Sequence, residues 1–423
     1  MATVVRAEAT AVSTSSVRWS RIEPAVAAYW FVGLLDKFAV GIIVTTKPFL
    51  AEMSLNNSYV LIGLLTSVVV FSQAVGTFLF GFVTDKWGPR RCALIGESAR
   101  LISTIIFALA PNLLVLLFAR ALLGLGEGHC WPVANALNAR WFPLRERARG
   151  RSFWLGASAF GPGVSGFLVG TLLQLSSWRG AFWVLALISA AVFLMVYFWI
   201  QNDPAKDPRV SPAELALIQQ KSELDVKVAA GTSGSKLRDP DYWLAVFATM
   251  GVSVGVWAWA AWLPSYFSHV KHLNLNATKN YLLLAYTVGF LANVGLSRLI
   301  DRTQRRGLMG SIFFVVLGLL IFTVGFVPSA PSILLLVCVI ALHYGTAQPV
   351  AQGFIDRISL PKRMGLETGI LNGIGNIAAA VGPMLMGFLI GVAHGGYQYA
   401  FLFLVGVCLM SACASALLMK RGY

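Results

Sequence analysis

The sequence predicts an all-α membrane protein of about twelve transmembrane helices in two six-helix halves. Three observations support this fold class: an apolar composition, about twelve apolar runs long enough to cross a bilayer, and a repeat of about half the chain length. Hydrophobic residues make up 57% of the 423 residues, charged residues make up only 12%, and the mean hydropathy is +0.71. A soluble domain of this size would need more polar surface. We therefore expect lipid to be the main surroundings of this chain.

The expected spans follow one another along nearly the whole chain. A helix needs roughly 20 apolar residues to cross about 30 Å of hydrocarbon. Runs of this length lie at 29–48, 60–83, 92–110, 113–137, 152–175, 181–200, 243–267, 281–300, 308–327, 333–354, 368–393 and 399–419.

A weak internal repeat divides the chain into two similar halves. The segment G-F-V-T-D-K-W-G-P-R-R at 81–91 lies between two apolar runs, and S-R-L-I-D-R-T-Q-R-R at 297–306 has a related pattern. Asp85 and Asp301 are 301 − 85 = 216 residues apart, about half of the chain. Repeats of this length, each with six apolar segments, are typical of transporters with two parallel halves.

Lys and Arg concentrate in alternate connections between the expected spans. One set of connections holds most of them, while the other set holds only Lys47, Arg179, Lys271 and Lys279. Because cytoplasmic loops retain Lys and Arg, we expect both termini and the central loop to be cytoplasmic, in a bacterial inner (plasma) membrane. The net charge of +15 is then mainly a signal of topology. We expect no nucleic-acid partner, since no basic surface is interleaved with exposed aromatic residues.

One long polar interruption marks the boundary between the halves. The expected organisation is a cytoplasmic tail at 1–24, an N-terminal six-helix half at 25–201, a cytoplasmic linker at 202–241 and a C-terminal six-helix half at 242–423. Within the linker, Pro212 and Glu214 predict the first turn of one short surface helix. The tail faintly resembles an organellar transit peptide, but its two acidic residues favour a cytoplasmic tail.

The sequence lacks the motifs of several classes of enzyme and hydrolytic pump. It contains no G-x-x-x-x-G-K-[S/T] phosphate-binding loop, no H-E-x-x-H and no G-x-S-x-G, so we expect a gradient-driven transporter and not a hydrolytic pump or an enzyme. His269 and His272 are interpreted as solvated residues and not as a metal site. The five cysteines form no C-x-x-C motif and no disulfide framework. We expect neither a metal nor another cofactor.

Ionisable residues inside the expected spans are candidate functional residues, because a charge at membrane depth costs roughly 2.5–3.5 kcal/mol or more. They are Asp36, Lys37, Glu97, Arg100, Arg120, Glu127 and, nearer a helix end, Glu367. Asp36 and Lys37 point about 100° apart on a helix, so each needs another partner. Glu97 and Arg100 are three residues apart, which favours a structural ion pair.

The fourth span carries two of these charges on one face. Arg120 and Glu127 are two turns apart, about 10 Å, so they also need further partners. Three glycines between and beside them allow another helix or a ligand to approach closely. If the first span packs there, its Asp36 and Lys37 come within reach and form a lining of acids and bases. The alternative is a structural network of buried charges, although such networks stabilise a fold only weakly.

Several motifs resemble those of one transporter family. The 81–91 segment fits G-x-x-x-D-[K/R]-x-G-x-[R/K]-[R/K] and resembles the signature loop of the major facilitator superfamily. Further motifs are R-A-L-L-G-L-G-E-G-H-C-W-P from Arg120, R-W-F-P-L-R-E-R-A-R-G from Arg140, G-P-G from Gly161, W-R-G-A-F-W from Trp178 and W-L-P-S-Y-F from Trp262. Together they resemble the anion:cation symporter family, which includes proton-coupled sugar-acid transporters and the animal sialic-acid and vesicular glutamate carriers.

The resemblance implies roles for the charged residues of the first and fourth spans. Arg120 matches a residue implied in organic-anion binding and gating, and Glu127 matches one implied in proton coupling. Asp36 matches a carboxylate that resembles a proton site in sugar-acid members. Lys37 stands where those members commonly have Arg, so positive charge is kept while bidentate recognition of a carboxylate is in doubt.

Physical chemistry supports an anion site in the same place. An anion in a low-dielectric cavity needs a positive partner, which Lys37 and Arg120 supply. A carboxylate beside it can release a proton when its surroundings change. Side chains expected to read hydroxyl groups or to present a ring face are Ser158, Trp262, Tyr344, Gln348, Asn372 and Asn376. The resemblance implies sugar contacts for the two asparagines, and plain helix packing is the alternative for each residue of this set.

The charged hinges are the expected gate. By resemblance to the signature loop, Asp85 is expected to hold a cytoplasmic gate through Arg147 or Arg149. Asp301 is the corresponding acid in the second half.

These expectations describe a monomeric secondary transporter. It would import a small organic monoanion, a hexonate or hexuronate sugar acid, by proton symport, while its two halves rock about a central site. Uptake of an aromatic or dicarboxylic acid is one alternative. Efflux of a drug or metabolite is another, because Gly161-Pro162 with Gly166 resembles the fifth-span motif of antiporters. The non-transport alternative is a transporter-like sensor, which would be expected to carry a long signalling domain.

Overall fold

The computed structural model describes residues 23–56, 58–142, 144–219, 239–303, 305–325, 329–344 and 364–422. Side chains are described in these ranges outside 144–159, 297–303, 329–332, 364–372 and a few single positions. The helices of the first half are α1 (Glu23–Ile43), α2 (Lys47–Glu52), α3 (Tyr59–Trp87), α4 (Pro89–Leu109), α5 (Leu113–Glu127), α6 (Cys130–Trp141), α7 (Leu144–Leu175) and α8 (Trp178–Trp199).

The second half repeats this pattern after a short connecting helix. Its helices are α9 (Pro212–Gln219), α10 (Pro240–Ser265), α11 (Leu275–Thr303), α12 (Arg306–Val324), α13 (Ser329–Leu342), α14 (Met364–Val392) and α15 (Gln398–Lys420). The short helix predicted in the linker is confirmed as α9. Each of the twelve predicted spans contains a helix, so the predicted all-α fold of two six-helix halves is confirmed. The tenth span was expected to continue to residue 354, but 345–363 lie outside the described residues.

Two elements differ from the expectation. The predicted fourth span is divided into α5 and α6 by a turn at Gly128–His129. Pro132 lacks the N–H that would bond the carbonyl of residue 128, and Gly128 lies against the backbone of Gly76 on α3, where a Cβ would overlap it.

The short helix α2 was not predicted. It docks on α8 through Glu52, which accepts hydrogen bonds from Arg179 and Trp178 that lower the pKa of its carboxyl.

The surface of the bundle is apolar, as expected for a helical protein in lipid. In the part of the chain that is described, nine helices are long and apolar enough to cross a membrane, and two shorter apolar helices accompany them. Large hydrophobic side chains such as Phe78, Leu114 and Leu187 are 69%, 76% and 71% exposed. Several charged side chains are instead buried inside the bundle. This reverses the usual arrangement of a soluble protein.

The two halves meet closely at one end of the bundle. We call it the low-charge end, because it contains the connections 44–58, 110–112, 176–177, 271–274 and 393–397 with few Lys or Arg. There α1 lies against α10, α3 against α14 and α7 against α11. A Cβ on Gly41 would overlap the carbonyl of Ala260, and one on Gly387 would overlap the carbonyl of Tyr59. The glycines therefore allow backbone-to-backbone contact between the halves.

Candidate functional site

A cluster of buried charges joins α1, α4 and the α5–α6 turn. We define the charge cluster as Lys37, Glu97, Arg100, Glu127 and His129, each at most 6% exposed. The Lys37 ammonium lies 2.8 Å from Glu127 Oε2, and Arg100 Nη1 lies 3.2 Å from Glu127 Oε1. The first span therefore packs beside Glu127, which is the condition under which the lining of acids and bases was expected. The carboxylate of Glu127 is shared by two cations from two different helices.

The position of Glu127 depends on a close approach of helices. A Cβ on Gly33 would overlap the Glu127 carboxylate, so a glycine on α1 is needed for this side chain to lie between the helices. The thiol of Cys130 also faces Glu127 Oε2, at 3.4 Å. Because Glu127 ends α5 just before the turn, its side chain projects where α1, α4 and α5 converge.

Glu97 and Arg100 form the ion pair that their spacing predicts, and each of them also contacts a further group. Arg100 Nη2 contacts Glu97 Oε2, while Nη1 also donates to the Tyr29 carbonyl at 2.7 Å. On the other side of Glu97, Oε1 lies 3.2 Å from His129 Nε2. His129 was not among the predicted functional residues. Its position beside the glycines of the helix break, in G-E-G-H, is the signal that could have drawn attention to it.

Arg120 has different partners from those of Glu127. Its Nε donates to the Leu65 carbonyl at 3.0 Å, Nη1 to the Asp36 carbonyl at 3.1 Å and Nη2 to the Lys37 carbonyl at 3.0 Å. Three of its five N–H groups are therefore used by main-chain oxygens of α1 and α3. The side chain is 1% exposed and holds α5 against these two helices.

Asp36 is hydrogen-bonded mainly by hydroxyl groups. Thr104 on α4 and Ser189 on α8 each donate to its Oδ2 at 3.2 Å. Its Oδ1 has no hydrogen-bond partner among the described residues. Asp36 thus lies beside the charge cluster with one oxygen free to accept another donor.

The second half contributes buried polar groups near its centre. The Tyr344 ring lies 5.7 Å from the Tyr286 ring, and neither hydroxyl has a partner in the described part of the structure. Asn293 Nδ2 donates to the Tyr344 carbonyl at 2.6 Å. Among the other predicted binding residues, Asn376 is partly buried on α14. The side chains of Ser158, Gln348 and Asn372 lie outside the described residues.

Trp262 is enclosed between the halves in this conformation. Its indole N–H donates to the Pro383 carbonyl at 2.9 Å, and its ring faces Tyr59 at 6.5 Å and Tyr397 at 6.2 Å. The side chain is 1% exposed. The structure therefore places Trp262 in an aromatic contact at the low-charge end and not in the charge cluster. Its predicted role in substrate binding stays a prediction.

The chain is similar in sequence to a large family of known proteins. The sequence model of the Major Facilitator Superfamily matches residues 29–365 and, in a second match, 297–422. The chain belongs to this superfamily. A probable sulfoacetate transporter, SauU of Cupriavidus necator, is 25% identical to it over 88% of this chain and 87% of that protein. The hexuronate transporter of Bacillus subtilis is 22% identical over 90% of each chain. The superfamily and these relatives are transporters and not enzymes.

Plant relatives and solved structures agree with the superfamily fold. Probable anion transporter 3, chloroplastic, of Arabidopsis thaliana is 26% identical over 88% of this chain and 74% of that protein. A bacterial homologue of the human lysosomal transporter Spinster, solved in an inward-facing and unoccupied conformation, superimposes with a TM-score of 0.76 at 15% identity, covering 96% of this chain and 98% of that one. A D-xylose-proton symporter superimposes with a TM-score of 0.72 at 16% identity, covering 95% and 97%.

In this superfamily member, the first hinge is held by Arg90, which was not among the predicted gate residues. Arg90 donates to the Gln201 side chain at 3.1 Å and to the Tyr197 carbonyl at 2.8 Å, which ties the start of α4 to the end of α8. Asp85 is exposed near the end of α3. The side chains of Arg147, Arg149 and Asp301 lie outside the described residues, so the gate proposed for these acids and bases stays a prediction.

Proposed function

We propose that this chain imports a small organic anion by proton symport, with hexonate or hexuronate sugar acids as the substrate class. The observation that carries the proposal is the buried pair of Lys37 and Glu127, 2.8 Å apart, at the junction of α1 and α5. In such a pair the carboxylate can bind a proton in place of the lysine, and the lysine can then bind a substrate anion in place of the carboxylate. The relative named as a hexuronate transporter supports a sugar-acid cargo, and those named as sulfoacetate and anion transporters support an anionic cargo.

The charges of this site can couple a proton to an anion. The cations buried inside the bundle on α1, α4 and α5 are Lys37, Arg100 and Arg120, and the buried carboxylates of the same helices are Asp36, Glu97 and Glu127. Three positive and three negative charges balance in the absence of substrate. Protonation of Glu127 would remove one negative charge and leave Lys37 without its counter-ion. A substrate carboxylate would then restore the balance, so proton and anion would bind together.

Arg120 would contribute to binding in two ways. Two of its N–H groups are not used by the three main-chain carbonyls and are available to an anion. The other three fix the backbone that carries Asp36 and Lys37. We propose that Arg120 both attracts the substrate and sets the position of Lys37.

Hydroxyl groups of a sugar acid need hydrogen-bond partners from the second half. The hydroxyls of Tyr286 and Tyr344, which have no partner among the described residues, are suited to this role, because a buried polar group without a partner costs about 1–3 kcal/mol. Asn376 belongs to the same proposed surface, together with Ser158, Gln348 and Asn372.

Alternating access follows from the way the halves meet. They are in contact at the low-charge end, which the distribution of Lys and Arg assigns to the outside of the cell. We propose that the structure has its external side closed, that both termini are cytoplasmic in a bacterial inner membrane, and that the transporter acts as a monomer. Rocking of the halves would separate Gly41 from Ala260 and open this end.

One observation favours a second candidate substrate class. The relative named as a probable sulfoacetate transporter implies a small acid with two anionic groups in place of hydroxyls. Such a substrate would use Lys37 and Arg120 together and would have less use for the tyrosine hydroxyls of the second half. Uptake of a dicarboxylic acid falls in the same class.

Proteoliposomes test the function directly. Purified protein would be reconstituted, a pH gradient imposed, and accumulation of labelled hexonate, hexuronate, sulfoacetate, a dicarboxylate and an aromatic acid measured in parallel. We expect accumulation of a sugar acid that disappears when the pH gradient is collapsed. Uptake that does not respond to the pH gradient would contradict symport, and accumulation of another acid alone would replace the substrate class.

A further inference from the structure

The Tyr59 side chain of the first half lies in a groove of the second half at the low-charge end. It begins at the start of α3 and runs along α14, past Gly387 and Gly391, to Gly395 in the following turn. A Cβ on Gly387 would overlap the Tyr59 carbonyl, and one on Gly391 would lie 4.0 Å from Tyr59 Cδ2. A Cβ on Gly395 would lie 2.9 Å from the Tyr59 hydroxyl oxygen. The phenol side chain therefore rests on backbone that carries no side chains.

Aromatic rings form the walls of this groove. The Trp262 ring lies 6.5 Å from the Tyr59 ring, and its edge also lies against Gly387, 3.0 Å from a Cβ placed there. The Tyr397 ring lies 6.2 Å from the Trp262 ring, at 76° to it. We define the ring groove as Trp262, Gly387, Gly391, Gly395 and Tyr397. A floor without side chains beside aromatic walls fits a planar ring, since aromatic rings pack edge to face or offset.

The ring groove is held in place by bonds inside the second half. The Trp262 indole N–H donates to the Pro383 carbonyl at 2.9 Å, and the Tyr397 hydroxyl donates to Ser265 Oγ at 3.0 Å. Gly395 has φ +93°, a conformation that favours glycine, and its N–H bonds back to a carbonyl of α14 at 2.9 Å. None of these bonds involves the first half. The groove therefore keeps its shape when the halves separate.

Tyr59 and the ring groove belong to different halves. Opening of the low-charge end withdraws the Tyr59 ring and leaves the groove empty. We propose that the ring groove is a binding site for a small phenol, a planar ring with one hydroxyl group, and that its occupant controls closure of this end. Tyr59 is the occupant in the closed arrangement, and a free phenol is the occupant in the open one. Opening of this end rests on the proposed function, whereas the site itself rests on the contacts of Tyr59.

A free phenol and the Tyr59 ring exclude each other from the groove. In the wild-type protein a phenol therefore binds the open arrangement alone and stabilises it. In Tyr59→Ala the closed arrangement has a space of the shape of the missing ring, and such cavities bind small aromatic molecules. A phenol enclosed there by both halves stabilises the closed arrangement. The same compound should shift the two proteins in opposite directions.

The first experiment measures binding without any substrate. The probe is p-cresol, which has the ring, the hydroxyl group and the first side-chain carbon of tyrosine. We expect p-cresol to raise the unfolding temperature of Tyr59→Ala in detergent more than that of Tyr59→Phe, whose ring still fills the groove. Cyclohexanol has a hydroxyl group but no planar ring, and should leave both unchanged. Equal unfolding temperatures of Tyr59→Ala with and without p-cresol would overturn the proposal.

The second experiment follows the opening of the low-charge end. Leu282 on α11 is 2% exposed and lies against Gly166 of α7, so a thiol at this position is reached when the halves separate. The reporter is Leu282→Cys in a protein whose exposed cysteines, Cys338 and Cys413, are replaced by serine. The rate of its reaction with a maleimide, in the absence of substrate, measures how often this end opens.

The labelling rates should separate competition with Tyr59 from a general effect of the phenol. Without p-cresol, Tyr59→Ala should be labelled roughly tenfold or more faster than the wild-type protein, the effect of losing one packed aromatic contact. Addition of p-cresol should speed labelling of the wild-type protein and slow that of Tyr59→Ala, while Tyr59→Phe should behave as the wild type. Faster labelling of both the wild type and Tyr59→Ala would indicate general loosening of the protein and would overturn the proposal.

Failure of the proposed function would give a different result. If Leu282→Cys were never labelled in the otherwise wild-type protein, with or without p-cresol, alternating access at this end would be refuted, and control of closure with it. Stabilisation of Tyr59→Ala by p-cresol would still establish the ring site, because that measurement needs neither opening nor transport.

Discussion

The central residues of the charge cluster, Glu127 and Arg100, have more than one partner each, and this sharing is their main property. Glu127 accepts from Lys37 and Arg100, while Arg100 also contacts Glu97. A change of charge on one member is therefore felt by the next. Removing one partner of a buried ion pair leaves an uncompensated charge, which costs roughly 3–5 kcal/mol. Substitutions at this scale should affect binding and coupling before they affect the fold.

Lys37 is expected to be required for anion binding. Lys37→Gln removes the positive charge and should weaken substrate affinity roughly 30-fold or more, as for truncation of a buried charged partner. Lys37→Arg keeps the charge and should retain measurable binding. The measurement is substrate-induced thermal stabilisation of the purified variants.

A buried lysine outside the cluster gives the control for this prediction. Lys279 bonds to the neutral side chains of Thr171 and Gln174 at 3.1 and 2.8 Å, so Lys279→Gln should keep normal affinity. Equal stabilisation by substrate in Lys37→Gln and in the wild-type protein would exclude Lys37 from the site.

Glu127 is expected to be required for coupling to protons. Glu127→Gln should abolish accumulation of substrate against a gradient, because an amide cannot change protonation during the cycle. Exchange of labelled for unlabelled substrate should persist, since exchange needs no net movement of protons. Proteoliposome uptake under an imposed pH gradient, beside a counterflow assay, separates the two.

The matched control is Glu52→Gln, which changes a carboxylate at the low-charge end where Glu52 pairs with Arg179. We expect it to accumulate substrate normally. Proton-driven accumulation by Glu127→Gln at the wild-type level would show that coupling depends on another group, with Asp36 and Glu97 as the next candidates.

At the scale of helices, Arg120 joins three elements through main-chain oxygens. Its guanidinium, on α5, bonds to the carbonyls of Asp36 and Lys37 on α1 and of Leu65 on α3. Hydrogen bonds from a charged donor contribute about 1.5–3 kcal/mol each. Arg120 therefore determines where α1 lies, in addition to any contact with substrate.

Arg120→Lys is expected to abolish uptake although it keeps the charge. A lysine ammonium cannot present the planar set of donors that reaches three carbonyls, so α1 should lose its position and the unfolding temperature should fall. Arg120→Ala should lose both uptake and stability. The measurement is uptake together with thermal unfolding, and wild-type stability in Arg120→Lys would contradict the role in holding α1.

The hinge between α3 and α4 depends on a glycine with a left-handed backbone. Gly88 has φ +83° and precedes Pro89 at the start of α4. With ψ +156° this backbone is essentially restricted to glycine, and a side chain there costs about 1–3 kcal/mol. Gly88→Ala should lower the free energy of unfolding by that amount, and its Cβ would also meet the Asn202 side chain. Gly81→Ala is the control, because Gly81 is helical and no atom lies within 4 Å of its added Cβ. Thermal or denaturant unfolding of the two variants should differ, and equal stability would contradict the hinge strain.

At the scale of the whole molecule, glycines decide which end of the bundle can close. Gly41 lies against Ala260 and Gly387 against Tyr59 at the low-charge end. These contacts join α1 to α10 and α3 to α14, one pair on each side of the interface between the halves. Any larger side chain there opposes the closed arrangement, so the conformational balance depends on residues distant from the charge cluster.

Gly41→Val is expected to shift the protein toward opening at the low-charge end. Its added atoms overlap the Ala260 carbonyl, which stabilises the open arrangement relative to the closed one. Labelling of a cysteine introduced at the low-charge end should become faster. Gly406→Val is the control, since no atom lies within 4 Å of a Cβ at Gly406. Equal labelling rates in the two variants would contradict the role of this contact.

Hydropathy and motif spacing alone determined the class of this protein. Apolar runs of about 20 residues predict the number of spanning helices, since bilayer thickness sets their length. The cost of a charge in lipid singles out Lys37, Arg120 and Glu127 as residues that need partners inside the bundle. Local rules also predict the Glu97–Arg100 pair and the short helix α9, because both depend on neighbours in sequence.

Tertiary structure alone decided which partners those charges found. Lys37 meets Glu127 across 90 positions of sequence, and Arg120 bonds to main-chain carbonyls although a carboxylate lies two turns away on its own helix. His129 enters the cluster only because the fourth span turns at Gly128 and Gly96 leaves room for its ring. Helical periodicity defines the face on which a side chain lies. It carries no information on which distant helix packs against that face, so contacts far apart in sequence are decided by the packing of the whole bundle.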